Sequence, residues 1–210
     1  MKFEIITVLE NVDTTIKLLE YQQSAPELLD FNILSSEEIR IFKSFKSDKR
    51  KLEYYYTRFL WQDFEIKLPI QYTMHGKPII SSGYLSISHS GSAILIGYSK
   101  NREIGIDIEY FNPKIALIKH KFLSKNEISS YDTTNLKVLT AIWSIKEAVY
   151  KMLAIPGLSF KEEIDVTALG DKKRVFVKTE GNGFSFEFSN LIFDQFVISY
   201  CYNSSLCIKF

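Results

Sequence analysis

Residues 104–109 read IGIDIE, and no other stretch limits the fold so tightly. Isoleucines at 104, 106 and 108 alternate with Gly105, Asp107 and Glu109. In a strand, this period-2 pattern sends the isoleucines to one face and both carboxylates to the other. It puts the Asp107 and Glu109 Cα atoms roughly 7 Å apart, within reach of one shared cation. Two neighbouring acids repel unless something positive joins them, and a divalent metal with oxygen ligands, usually Mg²⁺ with phosphate as a further partner, meets that need. The plainer reading is a strand with a solvated acidic face.

The longest helical pattern covers residues 136–154. Val138, Leu139, Ile142, Ile145, Val149 and Met152 recur at helical spacing, leaving Thr140, Ser144, Glu147 and Lys151 as the opposite, polar stripe. Glu147 and Lys151 stand four apart in the order that favours a surface ion pair. Alternatively, Glu147 is a third carboxylate for the metal and Lys151 a counter-charge for phosphate. A third element is SISHSG at 86–91, preceded by Gly76, Lys77 and Pro78. Here the Ser88 hydroxyl, the His89 imidazole and free backbone N–H groups can face an anion, although a histidine after a strand is commonly a structural hydrogen-bonder. No nucleophile triad and no phosphate-binding GxxxxGK[ST] loop is present.

Around these motifs the chain reads as a mixed α+β fold. A strand is expected over residues 1–9. A long helical region follows over 36–64, broken near 46–48 and started by Ser35, Ser36, Glu37 and Glu38. Residues 73–78 form a turn, and 84–89 with 93–98 form a hairpin beside which IGIDIE is expected to pair. Helix resumes after Leu123, with Ser124 or Asn126 as cap. Strands at 164–166, 174–178, 184–188 and 196–202 make an antiparallel meander. Helix followed by strands occurs twice, which suggests two α+β halves, 1–104 and 105–210.

With 46% hydrophobic and 14% aromatic residues among 210, a real core is assured. Twenty-six basic against 25 acidic residues give a net charge of +1, so neither a dedicated nucleic-acid binder nor a polybasic membrane protein is expected. Glu4 and Glu10 interrupt the opening apolar stretch, and no run approaches the ~20 residues of a membrane span. Cys201 and Cys207 are expected as buried thiols in a reduced, cytoplasmic setting.

In their order and intervals, GKP, SISHSG, GIDIE and WSIKEAVYK resemble the Sfp-type 4′-phosphopantetheinyl transferases over about residues 36–151. The resemblance implies a pseudo-dimer of two similar α/β subdomains with the active site in the cleft between them. It implies transfer of the phosphopantetheine arm of coenzyme A to a serine of an acyl or peptidyl carrier protein, with Mg²⁺ bound and 3′,5′-ADP released. It assigns Asp107, Glu109 and Glu147 to the metal, and Lys151, Lys77, Ser88 and His89 to the coenzyme A phosphates. Arg50 and Arg58 resemble a basic helix near the nucleotide, and Glu127 an acid of the segment closing one side of the cleft. The base for the carrier serine is either Glu147 or, through a water, Glu109; Lys151 faces the charge growing on the leaving group. A coenzyme A binder without turnover and an unrelated metal-dependent phosphate hydrolase are the competing readings. Two halves in one chain make a monomer the expected state, and the carrier is left open among fatty-acid, polyketide and peptide synthesis.

Overall fold

The computed structural model describes residues 3–22, 25–66, 68–167, 173–179, 182–203 and 206–208. Strands β1 (Phe3–Glu10) and β2 (Thr14–Tyr21) lead into helices α1 (Ser36–Ser44) and α2 (Asp48–Gln62). A two-strand clip follows, β3 (Gln71–Tyr72) with β4 (Pro78–Ile79), and then the hairpin β5 (Tyr84–Ser90) and β6 (Ala93–Ser99). Strand β7 (Ile104–Tyr110) opens the second part of the chain. It continues through α3 (Ile115–Phe122), α4 (Lys125–Ser130) and α5 (Leu136–Leu153), then β8 (Ile164–Val166), β9 (Arg174–Thr179), β10 (Asn182–Ile192), β11 (Phe196–Tyr202) and β12 (Leu206–Ile208).

Two main sheets result. The first has the order β1-β2-β6-β5; the second runs β7-β11-β10-β9-β8, with β12 also pairing β10. The start signal at 35–38 works as read: Ser35 and Glu38 form a reciprocal capping box, and the expected break separates α1 from α2. Ser124 caps α4 in the same way with Glu127. IGIDIE lies beside β5 of the hairpin but makes no backbone ladder with it. Its ladder is with β11 in the second sheet, some ninety residues downstream.

The alternation in β7 has its expected two faces, yet both are covered. Ile104, Ile106 and Ile108 enter a core made jointly with Ile16, Leu18 and Leu95 of the first sheet and Ile198 of the second. On the other face lies α5, drawn in so closely that a Cβ on Gly105 would overlap the Ala148 carbonyl oxygen. The apolar stripe of α5 packs on Val175, Val177, Phe186 and Phe188. A separate aromatic-rich core joins α2, through Tyr55, Tyr56 and Leu60, to Leu19, Ile94 and Ile96.

Cys201 is a free thiol with no exposed surface, and burial pushes its pKa up to about 12. The Cys207 side chain lies outside what the structure describes. No helix among the described residues is long and apolar enough to cross a membrane.

Candidate active site

The edge strands of the two sheets, β5 and β7, run side by side in parallel and are joined by serines rather than by a carbonyl ladder. The N–H groups of Ile106, Ile108 and Tyr110 donate to the hydroxyls of Ser86, Ser88 and Ser90 at 3.1, 3.3 and 3.4 Å. Two of these hydroxyls pass their own protons to the acids. Ser88 donates to Asp107 Oδ1 at 2.9 Å and Ser90 to Glu109 Oε2 at 3.2 Å. Alternate serines in SISHSG thereby meet alternate acids in GIDIE across the seam.

Helix α5 lies over the acids. Trp143 Nε1 donates to Glu109 Oε1 at 3.1 Å, and Lys151 Nζ donates to Asp107 Oδ1 at 2.7 Å and to Ser88 Oγ at 2.8 Å. The polar stripe of this helix is therefore not a solvated face: Thr140 and Ser144 are buried, and Lys151 reaches a strand instead of Glu147. Asp107 is 2% exposed, which also removes the reading of a solvated acidic strand.

The charge balance of this cluster is incomplete. Burial, together with the negative charges of Asp107 and Glu109, raises the Glu147 pKa to about 7, and Lys151 opposes the rise. Glu109 is raised by burial and by Asp107. Asp107 Oδ2 is buried without any hydrogen-bond partner, and Glu147 makes no hydrogen bond or ion pair among the described residues. No three His, Cys, Asp or Glu side chains there are gathered in a metal-holding arrangement. The residues nevertheless fit a divalent cation. An orphaned carboxylate oxygen and two acids held above their usual pKa are groups that a hard cation would relieve.

The turn before β4 is built by Gly76 at φ +80°, closed by Gly76 N–H to Thr73 O and Thr73 N–H to Lys77 O, both 2.9 Å. It delivers Lys77 to the C-terminal end of α5, where the ammonium bonds Met152 O at 3.0 Å and Glu103 at 3.1 Å. Lys77 so caps one of the carbonyls that a helix end leaves open. A cavity of about 490 Å³ separates this turn from α5, with Lys77, Lys151, Ser86 and Tyr150 in its walls. A smaller one of about 130 Å³, sharing Gly76, Pro78 and Ile87 with it, holds Arg50, Glu53 and His89.

Ser88 differs from its expected role. Its one proton and two acceptor positions are taken by Asp107, Ile108 and Lys151, so it positions the acid and the lysine and has nothing free for a phosphate. Arg50 and Arg58 both line a cleft of about 820 Å³. Arg50 also reaches His89 Nε2 at 3.4 Å. Arg58 is buried, bonded to Glu38 and the Tyr72 hydroxyl and stacked on Tyr54.

Glu127 is fully buried and faces no cleft. Its carboxylate accepts from Lys146 Nζ and from the N–H groups of Ser124 and Val166, all at 2.8 Å, while Lys146 shares its three protons between this carboxylate and the carbonyls of Phe122, Phe160 and Ile164. Every charge is met, so the pair ties the α3–α4 junction to α5, to β8 and to the loop before β8. Lys146, Glu53 and Trp143 were not singled out by the sequence. Trp143 and Lys146 carried a usable signal, as members of WSIKEAVYK; Glu53 carried none.

Residues 103–201 match the family model of the 4′-phosphopantetheinyl transferase superfamily. That stretch includes Asp107, Glu109, Glu147 and Lys151, so the resemblance read from the motifs is found independently where the acids lie. The chain is also 33% identical over 112 residues to the 4′-phosphopantetheinyl transferase HetI of Nostoc sp., an alignment covering 48% of this chain and 47% of the relative. The chain thus matches about half the length of that curated relative.

Proposed function

We propose that this protein is a 4′-phosphopantetheinyl transferase, moving the phosphopantetheine arm of coenzyme A to a serine of an acyl or peptidyl carrier protein with Mg²⁺ bound. The observation that carries the reading is the cluster of Asp107, Glu109, Glu147 and Lys151 from β7 and α5, whose lysine stands in the wall of the cavity that Lys77 also lines. The superfamily match over the same residues supports it.

Residues 1–104 and 105–210 act in this proposal as two subdomains, with the site at the serine seam between them. Asp107, Glu109 and Glu147 would hold Mg²⁺, which when bound supplies positive charge against the pyrophosphate. The carrier serine oxygen bonds to the phosphorus bearing the pantetheine arm. The bond from that phosphorus to the bridging oxygen breaks, and 3′,5′-ADP leaves with that oxygen. Lys151 faces the charge that grows there, and Lys77, Arg50 and His89 hold the remaining phosphate charge. Glu147 takes the serine proton: both oxygens of Glu109 already accept hydrogen bonds, from Ser90 and Trp143, whereas the Glu147 carboxyl accepts none among the described residues. The enzyme acts as a cytoplasmic monomer, on a carrier whose pathway its site does not specify.

Assaying 3′,5′-ADP with coenzyme A, Mg²⁺ and a panel of purified apo-carriers tests the reading. Release that requires a carrier supports transfer. Consumption of coenzyme A without a carrier would make the protein a phosphate hydrolase, and binding with no consumption a coenzyme A binder.

A further inference from the structure

Glu53 has no part in the reaction just described, yet it is among the most buried acids of the chain, 5% exposed, and two cations and an imidazole converge on it. Lys49 Nζ lies 3.6 Å, Arg50 Nη1 3.4 Å and His89 Nδ1 3.3 Å from its carboxylate oxygens. The other ring nitrogen, His89 Nε2, lies 3.4 Å from Arg50 Nη1. A guanidinium can only donate, so Nε2 meets it with its lone pair and the single proton of the neutral ring sits on Nδ1, facing Glu53. In this form the ring offers a lone pair, not a donor, to the pocket it shares with Arg50. A phosphate oxygen arriving there needs a proton on Nε2.

We propose that Glu53 is a positioning residue for coenzyme A binding: it fixes His89 in the Nδ1–H form and serves as the buried counter-charge for the imidazolium created when a phosphate group enters the Arg50–His89 pocket. The inference rests on the proposed reading of that pocket as a phosphate site and adds how the site is charged. The proton comes from solvent and is held on Nε2, so that phosphate binding and proton uptake are one event. The groups facing His89 are Lys49, Arg50 and Glu53 from α2 and Lys151 from α5. Partial burial and the three cations hold its pKa below the ordinary value, and Glu53 alone raises it. Removing Glu53 therefore leaves only influences that oppose the imidazolium.

The test measures coenzyme A affinity by calorimetry between pH 5.5 and 8.5 for the wild type, Glu53→Gln, Glu53→Asp and His89→Gln, with thermal unfolding as a control. Comparing variants cancels the ligand's own titration. For the wild type, affinity falls as pH rises, and buffers of different ionisation enthalpy report proton uptake. In Glu53→Gln the midpoint of the fall moves down by about one pH unit, the size of an opposite-charge effect on a nearby ionising group. Glu53→Asp, which keeps the charge at a shorter reach, falls between. In His89→Gln the uptake disappears, and adding Glu53→Gln to it causes no further pH shift. Nitrogen-15 shifts of His89 in the free wild-type protein show the Nδ1–H form. Superimposable profiles for wild type and Glu53→Gln, or an Nε2–H ring in the free protein, would overturn the inference while leaving the phosphate site intact. Wild-type affinity in both His89→Gln and Arg50→Ala would remove the phosphate site and the inference with it.

Discussion

Lys151 Nζ stands 2.7 Å from Asp107 Oδ1 on a neighbouring strand and makes no ion pair with Glu147, one turn earlier on its own helix. A solvated i,i+4 pair would be worth a few tenths of a kcal/mol. A cross-element pair beside a 2%-exposed carboxylate is a different object, because each partner is the nearest compensation for the other's burial.

Lys151→Ala is expected to lower kcat by about 10² at saturating coenzyme A, the scale on which removing one positioned donor to developing charge acts. Lys151→Arg should recover only part of this, since a planar fork does not reproduce a compact ammonium between Ser88 and Asp107. Saturation kinetics on both variants check it. Normal kcat with only a small stability loss would return Lys151 to an ordinary surface role.

Glu147 sets a pH dependence in metal-free protein. Its folded pKa of about 7 lies above the ordinary value of 4.5, so between those values the folded state holds more protons than the unfolded one. Stability must then fall as pH rises through that window and level off above it. The difference between wild type and Glu147→Gln isolates this contribution, and Mg²⁺ should restore wild-type stability at pH 8 but add little at pH 5. Denaturant unfolding in chelator and in Mg²⁺ at both pH values measures it; a difference that grows in the wild type's favour with pH contradicts the site's charge balance.

Ser88→Ala leaves the Ile108 N–H buried without an acceptor and takes a partner from Lys151. The expected cost is about 1–3 kcal/mol, read as a lower denaturant midpoint with unchanged slope. A loss below about 0.5 kcal/mol, ordinary for surface positions, would mean that the serine seam contributes no cohesion between the sheets.

Lys146→Met strands the Glu127 carboxylate and three carbonyls in the interior, at an expected cost of about 3–5 kcal/mol. Adding Glu127→Gln should recover part of it. Glu127→Gln alone should leave kcat of the folded protein near wild type, because this acid faces no cleft; a kcat loss with stability preserved would return it to the catalytic set.

What the sequence made legible was local. Alternation gave the two faces of β7, helical spacing gave the apolar stripe of α5, and the start signal at 35–38 gave the cap at Ser35, while the α4 cap was narrowed to Ser124 or Asn126. Long-range partners were not legible. Pairing of β7 with β11 depends on contacts far along the chain, and β2, central in its sheet and covered on both sides, shows no clean alternation. Helix α3 was missed because Lys114 gives it no side-chain cap and its first turn has no acid. Burial of charge was the hardest to read. Glu53 looks like any helix-surface charge until its neighbours are known. The serine seam did leave a trace: serines at 86, 88 and 90 share the period of the acids they serve, at a constant offset of twenty residues from the N–H groups they accept.

The most direct test of the central claim is the intact mass of a purified apo-carrier after incubation with the protein, coenzyme A and Mg²⁺. The account predicts a gain of one phosphopantetheine on the carrier serine with the wild type, and no gain with Glu147→Gln at equal folded concentration. A carrier panel left unchanged by wild type while coenzyme A binds, or equal modification by Glu147→Gln, would contradict it.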